Sequence, residues 1–163
     1  CNAGVGLDAH VVAAVAAARG TGRASDGMYV KAAIRTYLRH PQLRRPTLHV
    51  DGIPAATVLV VNLSPWTYLG KRPLDPAPRA TPDSGLVVIA PQRLTIWPLA
   101  AFLWRVARGG DVSGLAGVFT ATQAAEARIQ AQPAAWLQVD GDAVAQVTSA
   151  SFTHLPHALR IAM

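Results

Sequence analysis

The first part of the chain repeats its apolar positions with the period of an α-helix. The Ala/Val-rich run over residues 9–18 predicts a helix, with Asp8 as its N-terminal cap and Gly20 at its end. A second helix is predicted to begin after Ser25, because a capping residue there precedes a partly apolar face. This helix is expected to stop before Pro41.

The hydrophobic period then changes to that of β-strands. Residues 47–50 and 56–63 predict two strands that the Asp51-Gly52 turn joins. A proline-rich loop over residues 64–82, a short apolar strand over 86–90 and a helix over 95–106 follow. The last third predicts a meander with strands over these ranges: 117–121, 125–130, 135–139, 143–148 and 157–162.

These elements predict an α+β fold that is mainly β. A chain of 163 residues fits one domain, and we expect residues 1–163 to form it. The expected architecture is an antiparallel β-sandwich-like domain with about three peripheral helices. Trp97 and Trp104, seven residues apart on the third predicted helix, are expected to pack in the core.

The charge of the chain indicates anionic partners. The net charge is +6, in a globular composition with 51% hydrophobic residues. Such a charge suits nucleic acid, anionic lipid or phosphate, although a solvated basic surface produces the same charge. Basic residues are not interleaved with aromatic residues, so nucleic acid is not an expected partner. No apolar run reaches the ~18 residues that a membrane-spanning helix needs.

The chain begins with its single cysteine, Cys1, rather than with methionine. One cysteine cannot form an intrachain disulfide and does not make a cysteine-based zinc site. We interpret Cys1 as the first residue of a piece of a longer protein. Two sharper hypotheses are an autoprocessed amidohydrolase with Cys1 as nucleophile and a lipoprotein acylated at Cys1.

Two carboxylates flank a glycine in the predicted turn Asp140-Gly141-Asp142, which is expected to expose both side chains. Paired carboxylates can share a magnesium ion, or one of them can act as a general base, but an ordinary hairpin turn has the same sequence. Asp83, before a predicted strand, is either a turn residue or a metal ligand. The histidines are scattered, and the sequence has no phosphate-binding glycine loop.

Five segments, taken in order along the chain, are similar to segments of one protein family. They are residues 2–9 (NAGVGLDA), 60–70 (with VVN and PWTYLG), 78–86 (PRATPDSGL), 138–142 (QVDGD) and 155–161 (LPHALRI). The first resembles the Asn-x-x-x-Gly-x-Asp-Ala stretch of diacylglycerol and sphingosine kinases, and the fourth resembles their Val-Asp-Gly-Glu motif. The resemblance covers nearly the whole chain but only the second half of the family's catalytic unit. The half with the Gly-Gly-Asp-Gly-Thr nucleotide motif is absent from this sequence.

The resemblance implies a two-domain, ATP-dependent lipid kinase of which this chain is the C-terminal, β-rich domain. The family's general base is the Glu of Asp-Gly-Glu, so the resemblance implies Asp142 as the base and Asp140 beside it near the magnesium network. Asp is shorter than Glu by one C–C bond, about 1.5 Å, which a small backbone shift or a bridging water would make up. The family's structural magnesium site uses an Asp directly before Gly-Leu. Ser84 occupies that position here, and Asp83, one residue earlier, is the candidate ligand.

The resemblance also implies the remaining contacts. Asn62 is expected to contact the nucleotide, and Asp8, Trp66 and Tyr68 are expected to contact the lipid. For Trp97 and Trp104, the alternative to core packing is a place in an acyl pocket or at the lipid interface. The implied cofactors are Mg2+ and ATP, with ATP bound mainly by the other domain. The expected partners are a lipid substrate, a membrane surface and, through exposed strand edges, a second copy in a homodimer. The implied location is cytoplasmic, with peripheral membrane association.

An alternative hypothesis is a non-catalytic module, which binds lipid or associates with itself without a kinase half. A Gly-Gly-Asp-Gly-Thr segment encoded upstream in the same frame would favour the kinase, and its absence would favour the module.

Overall fold

The computed structural model describes residues 2–20, 22 and 24–156. This part of the chain forms three α-helices and ten strands, which confirms the predicted α+β, mainly β class. In chain order the elements are β1 (Asn2–Gly6), α1 (Leu7–Arg19), α2 (Asp26–Arg39), a 3-10 turn (Pro41–Arg44), β2 (Leu48–Val50), β3 (Ile53–Ala55), β4 (Thr57–Val61), β5 (Thr67–Leu69), β6 (Arg72–Leu74), β7 (Leu86–Pro91), α3 (Ile96–Ala107), β8 (Val118–Ala124), β9 (Glu126–Val139) and β10 (Asp142–Thr153).

One eight-stranded sheet, curled into a nearly closed barrel, contains every strand except β5 and β6. Its order is β3-β2-β9-β1-β4-β7-β8, and β10 pairs with β9. All of these pairings are antiparallel. Strand β1 lies in the middle of the sheet, between β4 and the C-terminal end of β9. The strands β5 and β6 form a separate hairpin.

Two hydrophobic clusters pack on opposite faces of this sheet. The inner cluster combines side chains from β1, β2, β4, β7 and β9, including Val5, Leu48, Val58, Val88 and Ile129. The outer cluster lies between α3 and the other face of β4 and β7, and includes Val61, Ile89, Phe102, Val106 and Val112. Strand β4 is buried on both faces, because its residues contribute alternately to the two clusters.

The three helices lie close to their predicted positions. Helix α2 begins after Ser25, as predicted, and α1 begins at Leu7, two residues before the predicted start. The predicted cap of α1 is wrong: Gly6 occupies the capping position, and Asp8 lies inside the first turn. The Asp8 side chain instead accepts a hydrogen bond from Gln138 on β9. None of the helices in the described residues is long and apolar enough to cross a membrane.

Strand β1 is an element that the hydrophobic pattern did not predict. Its two glycines weaken the strand signal, since glycine has a low intrinsic preference for strands. Both are needed for packing: a Cβ on Gly4 would overlap the Asp8 carboxylate, and one on Gly6 would lie 2.9 Å from the carbonyl oxygen of Ala56. The glycines therefore mark a close approach of β1 to its neighbours rather than a loop.

Two further differences concern turns. The Asp51-Gly52 turn joins β2 to β3, and not residues 47–50 to 56–63 as predicted, because Ile53–Ala55 already pairs with β2. The proline-rich loop over residues 64–82 contains the β5–β6 hairpin, which turns at Gly70.

The predicted strands 125–130 and 135–139 are one continuous strand, β9. Pro133 lies between the two predicted ranges, where the register between β9 and β10 shifts. Proline is tolerated at such irregular positions because no ladder hydrogen bond from its nitrogen is required there. The predicted strand over 157–162 lies outside the described residues.

We predict that Gly6→Ala destabilises the chain by about 3 kcal/mol or more. Gly6 has a φ of +101°, and an added Cβ would meet backbone atoms of the neighbouring strand. The control is Gly141→Ala, which also has a positive φ but open space around it, and should lose only about 1 kcal/mol. Urea unfolding of both variants measures the difference. Equal losses would contradict a tight contact at Gly6.

Candidate functional site

Three strand ends meet at one end of the sheet. Strand β1 starts there, and its antiparallel neighbours β4 and β9 finish there. This register brings Asn2 beside Asn62, which follows β4, and beside Asp140, which follows β9. Behind them lie Asp8 and Gln138. We call this set of five side chains the strand-end cluster: Asn2, Asp8, Asn62, Gln138 and Asp140.

The Asp140-Gly141 turn closes the β9–β10 hairpin, as predicted. Both residues have positive φ, 49° and 85°, which is the geometry of tight two-residue hairpins. Asp140 is fixed to β1 by two hydrogen bonds: its N–H donates to the Asn2 carbonyl oxygen at 2.8 Å, and its Oδ1 accepts from the Asn2 N–H at 2.7 Å. Both carboxylate residues of the turn are exposed, as predicted.

The Asp51-Gly52 turn repeats this arrangement in the β2–β3 hairpin. Asp51 has the same φ of 49° as Asp140. Its N–H donates to the carbonyl oxygen of Arg128 at 2.9 Å, and its Oδ1 accepts from the N–H of the same residue at 3.1 Å. The two hydrogen bonds between Asp140 and Asn2 are therefore those of a turn that joins a hairpin to a neighbouring strand, which is a structural task.

The Asn2 side chain connects the strand ends to the proline-rich loop. Its Nδ2 donates to the carbonyl oxygen of Trp66 at 3.0 Å, and its Oδ1 accepts from the N–H of Asn62 at 3.4 Å. The Trp66 side chain packs against the outer hydrophobic cluster. The start of the loop is thus held to β1 at one point and to the core at another.

The side-chain oxygen of Asn62 is a hydrogen-bond acceptor without a partner among the described residues. This oxygen, Oδ1, is buried. A buried polar atom without a partner costs about 1–3 kcal/mol, so such atoms are rare without a reason. A carbonyl-type oxygen at this place is suited to a cation or to a donor on a ligand.

Gln138 connects Asp8 with the Asp140-Gly141 turn. Its Nε2 donates to Asp8 Oδ2 at 2.9 Å, and its Oε1 accepts from the Gly141 N–H at 2.9 Å. Although part of Asp8 reaches the surface, burial raises the pKa of its carboxyl from 3.8 to about 6, and the hydrogen bond from Gln138 offsets only part of this shift. Near neutral pH, Asp8 is therefore a carboxyl group that gains and loses a proton easily.

The side chain of Asp142 is less constrained by hydrogen bonds to the sheet than that of Asp140. It is 80% exposed, and one carboxylate oxygen lies 3.8 Å from a guanidinium nitrogen of Arg19 at the end of α1. An exposed pair at this distance contributes about 0–1 kcal/mol to stability. The carboxylate is accessible to a reacting group.

Tyr68 lies on the β5–β6 hairpin beside the cluster and is 58% exposed. The hairpin begins just after Trp66, which contacts Asn2, and its turn is fixed to α2, because the Gly70 N–H donates to Asp26 Oδ2 at 2.6 Å. The hairpin thus extends from the strand-end cluster to the start of α2.

Asp83 lies in an exposed turn directly before β7. The hydroxyl of Ser84 closes this turn, since it donates to the Thr81 carbonyl oxygen at 2.9 Å and accepts from the Thr81 N–H. This arrangement matches the turn interpretation of the sequence. In the part of the chain that the structure describes, no three His, Cys, Asp or Glu side chains form a group that could hold a metal ion. Magnesium at the strand-end cluster would therefore need oxygens from a nucleotide or from another domain, as is usual for this ion.

Two members of the strand-end cluster were not singled out from the sequence as site residues. Asn2 and Gln138 were only parts of longer motifs, and both are neutral amides without a charge pattern. The one available signal was the place of Gln138, two residues before Asp140 at the end of a predicted strand, and no comparable signal marked Asn2.

We predict that Asp8→Asn stabilises the chain at high pH but not at low pH. A folded-state pKa of about 6 against 3.8 means that protonation stabilises the folded state below pH 3.8, and that this stability is lost as the pH rises through 6. Asn mimics the neutral form, so the variant should exceed the original chain by up to about 3 kcal/mol at pH 8 and match it near pH 4. Urea unfolding across this range measures the difference. A gap that does not change with pH would contradict the burial of this carboxyl.

No family model and no curated protein matches the sequence. The structure matches solved structures. One is a candidate diacylglycerol kinase from Bacillus anthracis str. Sterne, with a TM-score of 0.56, 16% identity, and coverage of 92% of this chain and 48% of that chain. Another is a diacylglycerol kinase from the same strain, with a TM-score of 0.50, 13% identity, and coverage of 94% and 46%.

The chain therefore spans about half the length of the proteins it matches. At this level of identity the similarity concerns the fold. It confirms, for the fold, the resemblance that the sequence motifs indicated: the described chain has the architecture of one part of a diacylglycerol kinase.

Proposed function

We propose that this chain is the lipid-facing, second half of the catalytic unit of an ATP-dependent lipid kinase, and that it acts on a lipid hydroxyl such as that of diacylglycerol. The strand-end cluster is the observation that carries the proposal. Asp8, Asn62 and Asp140 are far apart in sequence, yet hydrogen bonds link them into two neighbouring networks at one end of the sheet. The fold in which this occurs is shared with diacylglycerol kinases.

In the proposed reaction, the lipid hydroxyl oxygen attacks the γ-phosphorus of ATP. The bond from that phosphorus to the bridging oxygen breaks, ADP leaves, and the hydroxyl proton passes to Asp142. The exposed Asp142 carboxylate suits this task, because a base must be accessible to the hydroxyl whose proton it takes. The other half of the parent protein would bind most of the nucleotide.

Magnesium would neutralise charge on the transferred phosphoryl group. The donor at the cluster is Asn62 Oδ1, which has no hydrogen-bond partner among the described residues, and the Asp140 carboxylate lies beside it through Asn2. One or two protein oxygens together with phosphate oxygens are a common magnesium environment. Asp83, in its separate turn before β7, is a weaker candidate for a second magnesium site.

A cleft between α1 and α2 suits an acyl chain. Its volume is about 310 Å³. The small or apolar side chains of its lining are Ala14, Val15, Ala18, Met28 and Ala32, and the polar ones are Lys31, Arg35 and Thr36. The residue after Ala18 is Arg19, whose guanidinium lies beside the Asp142 carboxylate. A chain in this cleft would therefore have its polar end near the proposed base. Trp66 and Tyr68 would bound the lipid on the side of the β5–β6 hairpin.

We predict that Asp142→Asn lowers lipid phosphorylation by about 10²–10⁴-fold in a longer protein that includes the nucleotide-binding half, because the proton acceptor is lost. Asp51→Asn removes an exposed carboxylate from the matching turn and should leave the rate unchanged. The chain of 163 residues alone should show no magnesium-dependent ATP turnover. A lipid-panel kinase assay measures all three. Full activity of Asp142→Asn would exclude this residue as the base.

We predict that Ala32→Leu, which narrows the α1–α2 cleft, raises the KM for long-chain diacylglycerol about tenfold and changes the KM for a short-chain analogue little. Ala33→Leu is the control, because Ala33 is exposed on the same helix and does not line the cleft. Equal effects of the two substitutions, or equal effects on both lipids, would place the acyl chain elsewhere.

A further inference from the structure

Helix α3 is apolar on almost every side. Its sequence, IWPLAAFLWRVA, contains one polar residue, Arg105. A helix that is apolar all round is usually covered on all sides, by protein or by lipid. In this chain one face is covered: Phe102 and Val106 pack into the outer hydrophobic cluster against β4 and β7.

The opposite face of α3 is exposed. Val106 follows Trp97 by nine positions, about 180° around a helix, while Trp104 lies within about 20° of Trp97. Accordingly Trp97 is 82% and Trp104 57% exposed, which shows that the predicted core packing of these residues is wrong. Ile96 and Leu103 extend the exposed face on one side. We call these four residues the α3 outer face: Ile96, Trp97, Leu103 and Trp104.

The sequence around the α3 outer face carries exposed arginines and is bounded by the exposed residues Asp83 and Asp111. Residues 84–110 contain no Asp or Glu, whereas Arg93 and Arg108 are exposed at the two ends of the helix. The guanidinium carbon of Arg108 lies 4.3 Å from the centre of the Trp104 ring. On the adjacent β5–β6 hairpin, which contributes Leu74 to the outer cluster, Lys71 and Arg72 are exposed as well.

We infer that the α3 outer face docks on the surface of an anionic phospholipid membrane, with the helix lying parallel to the membrane plane. Tryptophan is favoured at the boundary between headgroups and acyl chains, and a helix with one apolar face and flanking basic residues binds there. Each basic residue near an anionic surface adds about 1 kcal/mol to binding.

Charge favours a membrane over a second copy of the chain. A symmetric pair would bring the same surface of both copies together, so the arginines around the helix would face like charges. Each copy also has a net charge of +6. An anionic membrane accommodates both kinds of residue. Its headgroups attract the arginines, and its boundary with the acyl chains accepts the tryptophan rings.

Docking through α3 would also orient the candidate site. The inner face of α3 contacts the cluster to which Val61 and Trp66 belong, and Asn62 directly follows Val61. The outer hydrophobic cluster therefore connects α3, which would contact the membrane, with the end of β4, where the strand-end cluster lies. Only this consequence rests on the proposed lipid-kinase function; the docking itself does not.

The test is co-sedimentation of the chain with vesicles of 70% phosphatidylcholine and 30% phosphatidylglycerol, without ATP. We expect binding that falls with added salt and is weak on pure phosphatidylcholine vesicles. The double variant Trp97→Ser/Trp104→Ser should bind at least about tenfold more weakly with an unchanged melting temperature, because both side chains are exposed. A brominated lipid should quench the tryptophan fluorescence of the original chain more than that of the variant.

The matched control is Ile34→Ser/Leu38→Ser on α2. These residues are 57% and 66% exposed and also have basic neighbours, Lys31, Arg35 and Arg39. The inference holds if the α3 variant loses at least tenfold and the α2 variant stays within about threefold. It is overturned if the original chain does not bind, if the α3 variant binds equally well, or if the α2 variant loses as much. Light scattering that shows a dimer only of the original chain, without vesicle binding, would identify the face as a self-association surface.

Kinase assays on the longer protein that includes the nucleotide-binding half, with a short-chain, water-soluble diacylglycerol, separate this inference from the proposed function. A failed vesicle experiment with intact activity removes the docking alone, and a failed kinase assay with intact vesicle binding removes the kinase alone.

Discussion

The close contact between α1 and β1 holds the candidate site together. Gly4 lies directly beneath the Asp8 carboxylate, where a Cβ would overlap it. The missing side chain lets the first turn of α1 settle onto the middle of the sheet, so that Asp8 reaches Gln138 on β9. Gln138 also accepts a hydrogen bond from the Gly141 N–H, which fixes the β9–β10 turn to the same side chain. One helix, two strands and one turn are therefore fixed relative to each other, and the raised pKa of Asp8 is the electrostatic consequence of this close packing.

A comparison of the two Asp-Gly turns shows which features of Asp140 the fold alone explains. Asp51 and Asp140 make the same pair of backbone hydrogen bonds, and the β2–β3 turn has no other feature of a site. The register of the sheet thus explains an Asp at position 140 without any reaction. No such structural task explains Asp142, whose exposed pairing with Arg19 adds little stability. Of the two carboxylates, Asp140 thus has a structural task in its turn, and Asp142 is largely exposed to solvent.

Local signals predicted the parts of the fold that local interactions decide. The helices follow a 3.6-residue period within short windows, and the Asp140-Gly141 turn follows from the preference of these residues for positive φ. Strand β1 is different, because its glycines oppose a strand locally and its partners β4 and β9 impose the extended conformation. The same holds for the strand-end cluster: Asn2 meets Asp140 across 138 positions, a contact that only the strand order creates. The motif resemblance identified Asp8, Asn62 and Asp140 as candidates, but their hydrogen bonds through Asn2 and Gln138 depend on the order of β1, β4 and β9 in the sheet.

Helix α3 shows why periodicity predicts a helix without predicting what covers it. The buried residues are Phe102 and Val106, while the larger Trp97 and Trp104, expected in the core, face outward. A sequence in which both faces are apolar cannot indicate which face meets the sheet, since both satisfy the same pattern. An exposed patch of two tryptophans, an isoleucine and a leucine is unfavourable in water, so a covering surface is expected. A purely apolar cover would leave Arg93 and Arg108 desolvated at its rim, whereas anionic headgroups above an acyl layer accommodate both the rings and the charges.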